Sequence, residues 1–259
     1  VAHVSSAARR LEDGGITNSD VPIVACSLAI QENVPLLADD RACQMVVLNY
    51  RKGARKAFGT DRLIVALEQS GAVSRDEAAD AFTTLMGWRY RFILPPAWVL
   101  KTLADRFEDN PPGRQLRDVA RYLHDCMRDV GLFIGIEKTS PPTSVGLRFY
   151  AEWRRTIAEF VVEVWADDRF SDESAEKLTR WAMTEFLPSV PGVMTQPQQA
   201  HVGSVYAPRM VIVDAMLRIN KVGDAQRGNR ALRAITDALG IDDADYLKTV
   251  TGVIDYAST

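Results

Sequence analysis

Cysteine and histidine are scarce in this chain, long apolar runs are missing, and there is no glycine-rich phosphate loop. The cysteines, Cys26, Cys43 and Cys126, are odd in number and lack a C-x-x-C spacing. That pattern argues against a disulfide framework or a structural zinc site and leaves reduced, cytoplasmic thiols as the simpler reading. His3, His124 and His201 are scattered; His124 lies beside Asp125, but adjacent residues point apart on a helix and make no metal site. The longest apolar runs, such as residues 160–166, are interrupted by Glu163 and fall well short of the ~20 residues a membrane span requires, so no part is expected to cross a bilayer. The nucleophile-elbow pattern Gly-x-Ser-x-Gly is also absent. No repeat of fixed period points to a solenoid. The first residues lack both the charged-then-apolar order of a secretory signal and an initiating Met, as expected of an excerpt or a processed product.

Charge of one sign is lacking too. A net charge of -3 over 259 residues argues against a protein that coats nucleic acid by bulk electrostatics. The exception is local: Arg41, Arg51, Lys52, Arg55, Lys56 and Arg62 face one acid, Asp61, between positions 41 and 62. Apolar residues at 47% and charged residues at 25% are ordinary globular usage, so the chain is expected to fold. Its length allows one large or two modest domains.

The pattern predicts a mainly α protein with a small α/β part. A short helix to about Leu11 ends at Gly14-Gly15. Ser19 or Asp20 then caps a helix in which Val21, Val24, Ala25, Leu28 and Ala29 recur at helical spacing, ending near Asn33. The apolar run 34–38 lies directly after that helix and before Asp39-Asp40, which favours a buried strand. A helix, a basic loop and an edge strand or turn at 57–60 follow. Leu63, Ile64 and Leu67 then form one apolar helical face, and Ser74 to Glu77 reads as a capping box opening a helix with Ala78, Phe82 and Leu85. Residues 91–94 read as a last short strand before Pro95-Pro96. Helices are expected over 98–107, 114–130, 146–166, 171–187, 209–220, 229–239 and 243–256. The clearest stripe is Leu147, Tyr150, Trp153, Ile157, Val161 and Val164. Residues 139–144 and 188–199 are loops, the first a candidate domain boundary.

Acids at the C-terminal end of a parallel strand sit where ligands collect in open α/β sheets. Carboxylates there can hold Mg2+ or Mn2+, which prefer hard oxygen ligands. Asp39-Asp40-Arg41 is equally a natural helix N-terminus, stabilised by capping and the macrodipole. Arg51, Lys52, Arg55 and Lys56 suit phosphate contacts or a solvated loop. Trp88, Arg89, Tyr90 and Arg91 mix aromatic and basic groups that can stack bases, or form a short strand that is half core and half surface. Asp242, Asp243 and Asp245 fit a helix start. Trp153, Trp165, Trp181 and Cys126 read as packing residues.

The stretch from Asp20 to Arg41, with Asp20 opening a helix and Val34-Pro-Leu-Leu-Ala-Asp-Asp-Arg41 following as a strand that ends in aspartates, resembles the latter half of PIN domains. The similarity runs on through Ala57-Phe-Gly-Thr60, 63–67, Gly71-Ala-Val-Ser74 and Tyr90-Arg-Phe-Ile93. It covers roughly residues 16–100, about a third of the chain, and the stretch resembles PIN-like domains embedded in larger bacterial multidomain proteins. The resemblance implies a divalent-metal-dependent ribonuclease site in which Asp40, with Asp39 and Asp20, is both catalytic and metal-binding. RNA and the remainder of a larger parent protein are the implied partners. Asp20 lies a residue or two farther from the strand-end acids than the family spacing, and Pro22 stands where that acid is expected. Members also carry an early strand-end Asp and a helix-borne Glu, which here lie upstream of Val1 or are absent. Two readings follow. In one, residues 1–100 are the C-terminal part of a PIN-like nuclease, incomplete as a catalyst in this chain, and 101–259 a helical domain. In the other, a degenerate PIN-like fold with helices is a non-catalytic interaction or regulatory module.

Overall fold

The structure, a computed structural model, describes residues 21–39, 44, 47, 57–90, 93–106, 113–129, 144–187 and 210–242. It is mainly helical with a small parallel sheet, and it divides into two compact units, Val1–Ser74 and Arg75–Thr259. Residues 75–100, grouped by the sequence with the α/β part, lie in the second unit. Helices expected near the N-terminus and over 243–256 lie outside the described residues.

In the first unit, helix α1 (Val21–Gln31) leads to strand β1 (Leu36–Leu37), and Gln44 and Val47 are helical in the connection to β2 (Ala57–Phe58). Helix α2 (Thr60–Gln69) follows. The strands pair in parallel with Leu36 opposite Ala57 and Leu37 opposite Phe58, and Ala38 N–H donates to Phe58 O at 3.0 Å. Parallel pairing requires such a crossover, because no tight turn can return the chain in the same direction. The core here is Cys26, Ala29, Ile30, Leu36 and Val47. In α2, Ile64 is buried, Leu63 half-buried and Leu67 exposed, so the expected apolar stripe is only partly covered.

The second unit contains α3 (Arg75–Gly87), α4 (Ala97–Asp105), α5 (Arg114–Asp129), α6 (Ser144–Ala166), α7 (Asp172–Glu185), α8 (Met210–Met216), a 3-10 turn (Ile219–Val222) and α9 (Ala225–Ala238). Helix α6 is its axis, about 35 Å long at 1.5 Å per residue, and packs against α4, α7, α8, α9 and the 3-10 turn. Tyr150, Trp153, Ile157, Val161 and Val164 are buried as the stripe predicts. So are Arg154, Ala158, Val162 and Trp165 on the flank beside it, because neighbours cover more of this helix than the stripe alone, leaving the face of Glu152, Arg155 and Glu159 toward solvent. Indole nitrogens are satisfied inside: Trp153 Nε1 donates to Phe186 O at 3.1 Å, and Trp165 Nε1 to Thr179 Oγ1 at 2.9 Å. Trp181 packs edge-on to Phe186 at 4.8 Å between centroids. Cys26 and Cys126 are buried thiols outside any disulfide.

Three local expectations change. Ile93 and Leu94 form no strand; Ile93 N–H is satisfied by the Tyr122 hydroxyl at 2.7 Å instead of a ladder partner. The single helix expected over 209–220 ends at Met216, because Arg218 Nη1 donates to Asp214 O at 2.7 Å while Arg218 N–H donates to Ala215 O, tightening the chain into 3-10 spacing. Helix α9 begins earlier than expected, since Asp224 caps it by accepting from Gln226 N–H at 2.8 Å.

Four helices end alike. In α1, α2, α3 and α9 an N–H two residues past the cap reaches back to the carbonyl five residues earlier, as in Val34 to Ala29, Ala72 to Leu67, Tyr90 to Leu85 and Ile241 to Thr236. The residue before each donor is left-handed: Asn33 (φ 56°), Gly71 (74°), Arg89 (62°) and Gly240 (62°). Glycine and asparagine tolerate this conformation, whereas a long side chain is strained there by ~1–2 kcal/mol.

Candidate functional site

The C-terminal ends of β1 and β2 meet the start of α2, and the chemistry of the first unit gathers there. Gly59 is the N-cap of α2 and has no side chain with which to cap it. Asp39, just beyond β1, does so from across the sheet: Thr60 N–H donates to Asp39 Oδ1 at 2.6 Å and Thr60 Oγ1 to Asp39 Oδ2 at 3.0 Å. A carboxylate at a helix N-terminus is favoured both by free N–H groups and by the macrodipole. Gln44 Nε2 donates to Ala38 O at 2.5 Å, fixing the chain one residue before Asp39. Asp61, in the first turn of α2, is buried.

These groups converge on Gly59. A Cβ there would lie 2.6 Å from Asp61 Oδ1, 3.2 Å from Gln44 Nε2 and 3.3 Å from Asp39 Oδ1. The φ of Gly59, -97°, is open to any residue. Space, not backbone conformation, requires the glycine. Two carboxylates thus border one small volume at the mouth of the parallel strands, the position at which ligands bind in open α/β sheets.

Asp39 and Asp61 are donors of the type Mg2+ and Mn2+ take, and Mg2+ is commonly held by one or two carboxylates with the rest of its shell water. A carboxylate has about four lone-pair positions, so the two bonds from Thr60 leave Asp39 acceptor capacity. The cradle therefore fits part of a divalent site. Among the described residues no group of three His, Cys, Asp or Glu that could hold a metal is assembled. Asp20 and Asp40 lie outside the described residues, as do Arg51, Lys52, Arg55 and Lys56.

Sequence reasoning missed Asp61, Gln44 and the cap at Thr60. Asp61 enters it only as the lone acid among bases. The available signal was Gly-Thr-Asp after a short apolar pair, which marks a helix start at a strand end. No spacing announces Gln44.

No model of a known protein family, no curated protein and no solved structure matches the chain. Among the described residues no helix is long and apolar enough to cross a membrane.

Proposed function

We propose that the first unit carries the C-terminal half of a PIN-like, divalent-metal-dependent ribonuclease site, incomplete as a catalyst within this chain. The observation that carries the reading is the cradle around Gly59, where Asp39 and Asp61 approach one point at the C-terminal end of two parallel strands. In this reading Asp39 and Asp61 would hold the ion at the cradle, joined by Asp40 and Asp20 as the resemblance implies. Bound there, the ion supplies a water activated for attack on a phosphodiester. Asp39 is held in place by Thr60, and Gln44 steadies the strand end that carries it. Arg51, Lys52, Arg55 and Lys56 contact backbone phosphates and so position RNA without reading its sequence.

The test is Mn2+-dependent RNA cleavage by the intact protein and its Asp40→Asn variant, with circular dichroism and thermal melting as controls. The variant is expected to fold normally and lose cleavage. Unchanged cleavage would remove Asp40 from the mechanism.

One observation favours a second reading, a degenerate PIN-like fold serving as an interaction or regulatory module. Both oxygens of Asp39 already accept hydrogen bonds from Thr60, the role of a structural cap. Intact protein that neither cleaves RNA nor binds Mn2+ supports that module.

A further inference from the structure

Helix α3 ends on an exposed aromatic residue and a strained cation. Trp88 is 69% exposed, whereas Trp153 and Trp165 are 1% and 0% exposed. Its ring lies 6.4 Å from that of Tyr90, tilted by 43°. Between them Arg89 occupies the left-handed position that the corresponding helix ends give to glycine or asparagine. Its side chain is exposed and has no ion-pair partner among the described residues. Non-glycine residues in left-handed conformations cluster at ligand-binding positions, where the strain accompanies a use for the side chain. The same turn borders a cleft of about 460 Å³ between α3 and α5, lined by Thr83, Thr84, Gly87, Arg89, Gln115 and Arg121 among others. Asp118 in the same wall is offset by Arg121 at 3.0 Å and by Arg114 at 3.7 Å. Asp125 also lines the cleft.

We propose that Trp88, Arg89 and the adjoining cleft bind single-stranded nucleic acid, with one base stacked on the Trp88 ring and a neighbouring phosphate on the Arg89 guanidinium. An exposed indole offers a π-face to any base, and a free guanidinium beside it offers a fork for phosphate. The hydroxyls of Thr83 and Thr84 donate to Asp80 O and keep lone pairs that can accept from a sugar or base edge entering the cleft, while the Gln115 amide is engaged by Arg106 and Asp80. A duplex keeps its bases stacked on one another and cannot use the indole. The inference goes beyond the ribonuclease reading, since the patch lies in the second unit and the candidate metal site in the first. It needs no metal, so it stands or falls apart from cleavage.

The test is fluorescence anisotropy with a short labelled single-stranded RNA of mixed sequence and its duplex, in low salt with EDTA, on the full chain. The single strand is expected to bind more tightly than the duplex and to shield Trp88 from iodide quenching. Trp88→Ala should weaken binding roughly tenfold or more, and Trp88→Phe should retain most of it. Arg89→Gly should weaken binding and reduce the salt dependence by about one counterion while raising the melting temperature, a combination misfolding cannot produce. Absence of single-strand binding by the parent chain, or equal binding by Trp88→Ala, overturns the proposal. So does concentration-dependent self-association that Trp88→Ala abolishes while RNA binding is untouched, which would make the patch a protein contact. Loss of cleavage with binding intact would count against the metal site alone.

Discussion

Arg154 and Asp214, 60 residues apart in sequence, form a 2.7 Å ion pair inside the second unit, with side chains only 5% and 10% exposed. The pair joins the axial helix α6 to α8, and the backbone carbonyl of Asp214 also accepts from Arg218 at the point where α8 stops.

Arg154→Met is therefore expected to cost about 3–5 kcal/mol in urea unfolding, because it leaves Asp214 buried and unpaired. The double variant Arg154→Met with Asp214→Leu should recover most of that loss. A single-variant cost below about 1 kcal/mol would mean that water reaches the pair.

At the candidate site, Gly59→Ala places a methyl against Asp61 Oδ1 and should destabilise the first unit by about 1–3 kcal/mol. Adding Asp61→Ala should relieve most of that penalty, since it removes the nearest atom. Hydrogen exchange of the α2 amides reads both effects. Additive losses in the double variant would show that the clash lies elsewhere.

Two carboxylates of the second unit should pull the pH dependence of stability in opposite directions. Hydrogen bonding from Arg169, joined by Lys101 at 2.6 Å, holds Asp167 well below the usual carboxylate range. Its stabilisation is present above that range and is lost as pH falls through the depressed value. Burial, reinforced by the nearby Glu159, pushes Glu163 up, so its ionisation opposes folding once pH rises above the ordinary value. Glu163→Gln should raise the melting temperature at neutral pH and lose that advantage in acid. Asp167→Asn should lower it at neutral pH, with the difference shrinking as pH falls. Parallel melting curves across pH for either variant and the parent would contradict this assignment.

The left-handed helix ends make a further comparison. Gly71→Ala and Gly240→Ala should each cost about 1 kcal/mol, although nothing lies within 4 Å of the added methyl at either place, because the penalty is in the backbone. Asn33→Gly should be close to neutral. Thermal melting of the three variants distinguishes this from a packing effect.

Helical segments were legible because apolar residues recur at the helical period, and α3, α5 and α6 lie within a few residues of their expected positions. The parallel strand at Leu36 was legible from a short apolar run followed by acids. Its partner at Ala57-Phe58 was harder to read, since two residues carry no period of their own. Ile93-Leu94 looked like a strand because β-branched and aromatic composition says nothing about where the backbone N–H goes. Of the candidate site, Asp39 was visible from its place after the strand. Asp61 was hidden, because its approach to Gly59 depends on how closely α2 follows β2.

The amino-acid sequence by itself determined the helical character, the strand that ends in acids, and the apolar stripe of α6, because period and punctuation are local properties of the chain. Tertiary structure alone decided that the buried arc of α6 extends beyond its stripe to Arg154, Ala158, Val162 and Trp165, that Arg154 meets Asp214, and that Asp39 caps a helix 21 residues away. Such contacts depend on where distant segments come to rest, and hydrogen bonds or ion pairs between them leave no periodic trace along the chain.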